Sequence, residues 1–321
     1  MSAPAPQADA ATALPDAHAA GFWSRLWSLL PPEFMPYIQL ARLDRPTGWQ
    51  LLLAPCLTSS CLASIYHLQA PAYGQLALFC LGAIAMRGAG STFNDLIDRN
   101  IDAKVERTRF RPLPSGRVTP FAAALFMAAQ ALIGLGVLLS LNGFAIVLGL
   151  CSLLLVAIYP FMKRFTSWPQ AILGLAFSWG ALMGWAAVAG GLAAPALWLY
   201  ASCAVWTIGY DTIYALQDRK DDVGAGVKST ALLFGDHVII AVALLYLATV
   251  VFAELALSGA GAGLPAQLGL FAFALQLAWQ VRKLDNADEA MALKLFRSNG
   301  AAGFLLFAGL FAENLLFYLV K

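Results

Sequence analysis

The sequence predicts an all-α polytopic membrane protein with nine transmembrane helices. Three observations carry that expectation. Of the 321 residues, 60% are hydrophobic and only 12% charged; the apolar residues fall in long stretches; and the basic residues are confined to alternate connections. A water-soluble domain carries about 25% charged residues, and the mean hydropathy here is +0.71, so lipid is the solvent this chain suits. The net charge of +2 is too small to point to nucleic acid as a partner.

The elements follow in order. The first 20 residues are rich in Ala and Pro and contain no Lys or Arg. With Asp9 and Asp16 and no basic start they match neither a signal peptide nor a transit peptide, and disorder is expected. Residues 22–30, FWSRLWSLL, fit either a short interfacial helix with Trp23 and Trp27 at headgroup level or an ordinary N-terminal helix. Residues 1–36 are thus an extension, and 37–321 the transmembrane domain. A crossing helix needs about 20 apolar residues. Nine stretches qualify: 46–66, 74–93, 119–140, 144–162, 169–191, 195–215, 231–256, 264–281 and 300–320. The connections HLQAPAYGQ, SLNGF, GGLAAPA and LSGAGAGLPAQ contain no Lys or Arg, whereas 18 of the 20 basic residues lie on the opposite face. Only Arg87, inside a span, and Lys321, at the far end, stand apart. The positive-inside rule puts the N-terminus and the loops after the second, fourth, sixth and eighth spans in the cytoplasm; the expected membrane is a bacterial inner (cytoplasmic) one. Cys56, Cys61, Cys80, Cys151 and Cys203 lie in apolar stretches without CxxC spacing and read as packing residues.

Two acidic motifs emerge on that basic face. After the second span the loop reads NDLIDRNID, residues 94–102, with Asn94, Asp95, Asp98 and Asp102. After the sixth it reads YDTIYALQDRKDD, residues 210–222, with Asp211, Tyr214, Asp218, Asp221 and Asp222. Residues four apart on a helix share a face, so Asp98 pairs with Asp102 and Asp218 with Asp222, with Asn94 and Tyr214 one turn earlier. Like charges at that spacing repel by about 0.2–0.5 kcal/mol, and an acid at mid-bilayer costs about 2.5–3.5 kcal/mol. A hard divalent cation with oxygen ligands offsets this. Mg²⁺ takes few carboxylates and keeps positions for water and phosphate oxygens, so two such pairs suit a Mg²⁺–diphosphate substrate better than a closed structural ion site.

Cations follow directly: Lys104, Arg107, Arg109, Arg111 and Arg117, of which Arg107 and Arg111 repeat a four-residue step beyond the motif. After the fourth span, YPFMKR sets Tyr159 and Lys163 one turn apart. Arg binds phosphate through a planar fork and Lys as a compact charge, although any one of these residues also serves as a topology signal. Arg87 lies in GAIAMRGAG, seven residues before Asn94. A buried arginine marks either a structural ion pair or a ligand site. Gly88, Ala89 and Gly90 beside it admit a close approach, and its guanidinium suits a substrate carboxylate held bidentately. Transport is the competing class, but it calls for acids near mid-bilayer on discontinuous helices. Glu254 and Glu313, which do lie in spans, read as helix-contact or interface residues.

These residues resemble the UbiA superfamily of intramembrane prenyltransferases over roughly 40–320. The resemblance rests on the ordered set N-D-x-x-D-x-x-x-D at 94–102, R-T-x-x-R-P-L-P-S-G at 107–116, Y-P-x-x-K at 159–163, Y-D-T-x-Y-A-x-x-D-R-x-D-D at 210–222 and GVKSTALLFG at 226–235. R-x-D-R-P-x-G at 42–48 and the stretch 210–235 are most similar to the branch that prenylates 4-hydroxybenzoate in ubiquinone biosynthesis. The resemblance implies nine helices around a central cavity with a cytoplasmic cap, and the isoprenoid tail in an apolar tunnel. It implies that Asn94, Asp98, Asp102, Asp218 and Asp222 hold Mg²⁺–diphosphate, and that Arg107, Arg111, Tyr159 and Lys163 hold diphosphate or close the site. Arg87 would contact the aromatic acid, and Tyr214 stands with the substrate-binding residues. The implied partners are a polyprenyl diphosphate, 4-hydroxybenzoate and membrane lipid. The proton-accepting base stays open among Asp95, Asp211 and released diphosphate.

Overall fold

The computed structural model describes residues 26–27, 29–104, 108–219, 228–286 and 288–319, and all regular structure among them is helical. The expectations for residues 1–25 lie outside that range. Twelve α-helices follow in order: α1 Met35–Leu40, α2 Thr47–Tyr66, α3 Tyr73–Asp102, α4 Pro120–Leu139, α5 Gly143–Phe165, α6 Pro169–Phe177, α7 Trp179–Ala189, α8 Ala194–Ala215, α9 Thr230–Phe234, α10 Val238–Gly259, α11 Leu264–Lys283 and α12 Glu289–Leu319. Two compact units result, one of Met1–Arg45 with Gly88–Gln130, the other of Pro46–Arg87 with Ala131–Lys321.

Among the described residues, seven helical segments are long and apolar enough to cross a membrane: α2, α3, α4, α6 with α7, α9 with α10, α11, and α12 as far as Phe317. Of the other two expected spans, α8 has the length, but Trp198, Tyr200, Trp206 and Tyr210 make it less apolar than its neighbours. Over Gly143–Ile158, α5 is a shorter apolar helix. Three expected spans change shape. Ser178 breaks the fifth into α6 and α7, and Gly235, at φ 53°, separates α9 from the 3₁₀ turn Gly235–His237 that leads into α10. The second span continues as helix through the first acidic motif, which was expected in a loop. At 30 residues α3 is about 45 Å long, against about 30 Å of hydrocarbon; the acidic residues are therefore the helix's own last turns.

The first unit has a small core of Leu40, Leu113, Val118 and Ala123, with Tyr37, Leu96 and Phe126 against it. The Tyr37 and Phe126 rings meet edge-on at 5.1 Å, and the Trp27 indole donates to Leu43 O at 3.1 Å.

In the second unit α8 packs on α10, α2 on α7 and α12, and α11 on α12. Small residues permit it. A Cβ on Gly309 would meet Gly269 Cα at 2.7 Å, so α11 and α12 cross with their backbones in contact. Four buried polar side chains form a closed knot in this apolar interior. Asn299 and Gln280 exchange hydrogen bonds between their amides, with Gln280 Nε2 donating to Asn299 Oδ1 at 3.1 Å and Asn299 Nδ2 to Gln280 Oε1 at 3.0 Å. Trp206 Nε1 donates to Asn299 Oδ1 at 2.9 Å, and the Tyr246 hydroxyl to Gln280 Oε1 at 2.8 Å. Glu313, on α12, accepts from Gly263 N at 2.7 Å and Ala266 N at 3.2 Å, capping the start of α11. Ser258 and Gln267 donate to Glu254 Oε1. Both glutamates are helix-contact residues, as expected. Cys56, Cys61 and Cys203 are buried, but Cys151 is exposed and is not the packing residue that its apolar surroundings suggested.

Candidate active site

On α3, Asn94, Asp98 and Asp102 stand at successive four-residue steps, with Asn94 and Asp98 half-buried and Asp102 8% exposed. Asp95 sits one position off that row. It is 1% exposed, and burial of a lone carboxylate there would be prohibitive. Two guanidiniums resolve it. Arg42 Nη2 donates to Asp95 Oδ1 at 2.7 Å and to Oδ2 at 2.9 Å. Arg111 Nη1 reaches Asp95 Oδ1 at 3.3 Å and Asp102 Oδ2 at 2.8 Å. The result is a continuous chain, Arg42–Asp95–Arg111–Asp102.

Local sequence sets each partner. Arg42 ends α1 in the left-handed region, at φ 56°, where glycine is usual. Leu43 N donates to Ile38 O at 3.0 Å and Arg42 N to Gln39 O at 3.2 Å, the double closure that ends a helix this way. Its guanidinium also reaches back, Nη1 to Gln39 O at 2.6 Å. A left-handed arginine costs about 1–2 kcal/mol, and the bonds to Asp95 offset it. Arg111 is held by the turn that returns from α3. There Thr108 donates to Asp102 O at 2.9 Å, Ser115 Oγ to Arg111 O at 2.6 Å and Arg117 Nη2 to Phe110 O at 2.5 Å.

One expectation changes here, and one residue comes into view. Asp95, left open as a proton acceptor, has its oxygens engaged by two cations in a sealed position and is an anchor for them. Arg42, expected as part of a motif and, with Arg45, as the alternative place for the acceptor, is that anchor's main partner. Nothing in the local pattern joins two residues 53 positions apart. Arg111, expected on diphosphate, lies against the carboxylates of the same motif.

In the second unit, Arg87 projects from α3 with its Cζ 5.6 Å from the centre of the Phe177 ring. It also lies against Gly48, in the first turn of α2. Tyr214 packs its ring on Phe296 at 4.6 Å between centroids. Tyr214 and Asp218 do not share one continuous α-helix: α8 ends at Ala215, and Leu216–Asp218 is a 3₁₀ turn. Arg107, Asp221 and Asp222 lie outside the described residues, as do the side chains of Asp218, Tyr159 and Lys163. No group of three or more His, Cys, Asp or Glu side chains able to hold a metal occurs among the described residues.

Comparison with known proteins gives a consistent picture. The chain is 49% identical over 283 residues to the mitochondrial 4-hydroxybenzoate polyprenyltransferase of Arabidopsis thaliana, covering 87% of this chain and 69% of that one. To the mitochondrial enzyme of the same name from Rattus norvegicus it is 45% identical, covering 89% and 76%. A UbiA homologue from Aeropyrum pernix K1, 23% identical, superposes with a TM-score of 0.69 over 82% of this chain and 97% of that one. One from Archaeoglobus fulgidus, bound to DMAPP and Mg²⁺ and 18% identical, does so at 0.60 over 87% and 99%. These structures share the fold. The relatives overturn one expectation, the bacterial inner membrane: they are mitochondrial enzymes of eukaryotes and point to a mitochondrial membrane. Charge asymmetry says which loops share a face and is blind to which membrane they face. A family model described as the UbiA prenyltransferase family matches residues 52–310, and the chain belongs to that family.

Proposed function

We propose that this chain transfers a polyprenyl group from its diphosphate to 4-hydroxybenzoate, at the ring carbon ortho to the hydroxyl, in ubiquinone biosynthesis. The observation that carries this is the row Asn94, Asp98, Asp102 along the end of α3, with a guanidinium laid against Asp102 at 2.8 Å. The names of the relatives at 45–49% identity support the acceptor.

The donor set fits Mg²⁺: hard amide and carboxylate oxygens, few in number, on a rigid helix beyond the hydrocarbon. Asn94, Asp98 and Asp102 would hold it, with Asp218 and Asp222 from the second motif. When bound, Mg²⁺ supplies neutralising charge to the diphosphate. The residues of the chain do the rest. Arg107, Arg111, Tyr159, Lys163 and Tyr214 bind the diphosphate substrate and keep it oriented as negative charge collects on it. The allylic C–O bond breaks with the electron pair leaving on diphosphate. The ring carbon ortho to the phenol attacks the allylic cation, and the ring proton is lost. Arg87 holds the acceptor carboxylate and so sets which ring position faces the cation. Apolar helices exclude water, which would otherwise capture that cation. With Asp95 committed to its two arginines, the proton goes to Asp211 or to released diphosphate. We also count α5 and α8 as spans, giving nine, with the basic loops on one face.

Purified enzyme, radiolabelled prenyl diphosphate and a panel of aromatic acceptors test the proposal. Prenylated 4-hydroxybenzoate is expected, with turnover lost in EDTA and restored by Mg²⁺. Full turnover in the chelator, or preference for an acceptor without a carboxylate, would refute it.

A further inference from the structure

Gly48 occupies an ordinary helical position in the first turn of α2, so nothing in the backbone asks for glycine there. In a helix, glycine costs about 0.5–1 kcal/mol relative to alanine. What it supplies is space, and the space is filled by one group. A Cβ at Gly48 would collide with Arg87 Nε and lie 3.0 Å from both Cζ and Nη2. The atoms met are those of the guanidinium head, so a methyl group there would displace the charged group itself. The same guanidinium lies over the Phe177 ring at 5.6 Å. A bare backbone and an aromatic ring therefore bound the group on two sides. All five guanidinium N–H bonds lie in one plane, so confining the group also narrows the directions in which a carboxylate can be taken bidentately.

We propose that Gly48 is a positioning residue for acceptor specificity: its missing side chain seats the Arg87 guanidinium in the orientation that receives the carboxylate of the aromatic acid. This rests on the assignment of Arg87 to that carboxylate. Aromatic acids are then selected by the geometry of the seat as well as by the charge of the arginine. Once the seat is disturbed, the acid loses its advantage over an acceptor whose carboxylate is replaced by a neutral amide.

Steady-state kinetics with a double-mutant cycle tests it. Gly48→Ala should raise KM for 4-hydroxybenzoate by roughly tenfold or more, the scale of a misdirected charged bond, with KM for the prenyl diphosphate changed less than about twofold. Alanine is the better helix former, so a loss cannot be laid to the backbone. In an Arg87→Ala background the same substitution should add almost nothing, since no guanidinium remains to displace. If Gly48→Ala raises the acceptor KM by the same factor in both backgrounds, or raises both substrates' KM together, Gly48 does not act through Arg87 and the proposal is overturned. If Arg87→Ala alone leaves the acceptor KM unchanged, it is the carboxylate assignment that fails. Should Gly48→Ala not accumulate in membranes, accumulation of Gly48→Ala/Arg87→Ala identifies the collision as the cause and upholds the seat. Failure of both shows that the position serves folding, and the proposal falls.

Discussion

Replacing Asp95 by alanine removes the centre of the Arg42–Asp95–Arg111–Asp102 chain, and the structure sets the scale of the loss. Three charge-assisted contacts, at 2.7, 2.9 and 3.3 Å, converge on a carboxylate that is 1% exposed, and Arg42 itself is only 18% exposed. Deleting one partner of a buried pair costs about 3–5 kcal/mol, because the other charge is left stranded. That is roughly a hundredfold to a few thousandfold in the folded-to-unfolded ratio. Arg42 suffers twice over, since the same contacts offset its left-handed backbone. Denaturant unfolding in detergent, followed by tryptophan fluorescence, measures the difference. Asp95→Asn keeps an acceptor oxygen and should fall between wild type and Asp95→Ala. Arg42→Ala/Asp95→Ala should cost less than the sum of its parts, with a coupling of about 1 kcal/mol or more. A loss below about 1 kcal/mol for Asp95→Ala, the value of an exposed pair, would refute the description of this network as a buried anchor.

Asp98→Ala and Asp218→Ala are each expected to abolish turnover while leaving membrane insertion intact; retained activity in either, measured with radiolabelled prenyl diphosphate, removes that residue from the Mg²⁺–diphosphate site. Cysteines introduced at Gly143 and Gly263, in a background lacking the native five, should label from one side of sealed vesicles and a cysteine at Ser115 only from the other. Labelling of all three from the same side would break the pairing of basic loops on one face.

The sequence made the helices legible because their signals are local: long apolar stretches, and polar punctuation at Asn142 and Gly190. It also made the first acidic row legible, since Asn94, Asp98 and Asp102 differ by whole helical steps. What it concealed depends on distance along the chain. Arg42 and Asp95 meet across 53 positions, and no pattern near either one announces the other. The reach of α3 through its acidic end was hidden for another reason. Hydropathy falls at Asn94, and a drop in hydropathy marks the end of the hydrocarbon without marking the end of the helix. The break at Ser178 is invisible in the same way, because both sides of it are apolar. Gly48 appeared only as a letter in R-x-D-R-P-x-G; that it makes room for Arg87 depends on a contact with a residue far along the chain.

The knot of Trp206, Tyr246, Gln280 and Asn299 has a consequence for how these helices find their rotational phase. In water an amphipathic helix is turned inward by its apolar stripe. Here α10 and α11 carry leucines nearly all round, with Leu244, Leu247, Leu268 and Leu275 facing outward, and lipid scarcely distinguishes one leucine face from another. Sliding α11 by one residue turns it by about 100°. Most of its apolar contacts would find substitutes, but Gln280 would surrender its place to Trp279 or Val281, and Asn299 would be left without its amide partner. Both side chains are fully buried, and the apolar packing around them offers those groups nothing in return. The knot thus works as an index pin. A few hydrogen bonds, set where no water can replace them, select one phase out of several that greasy packing alone would accept.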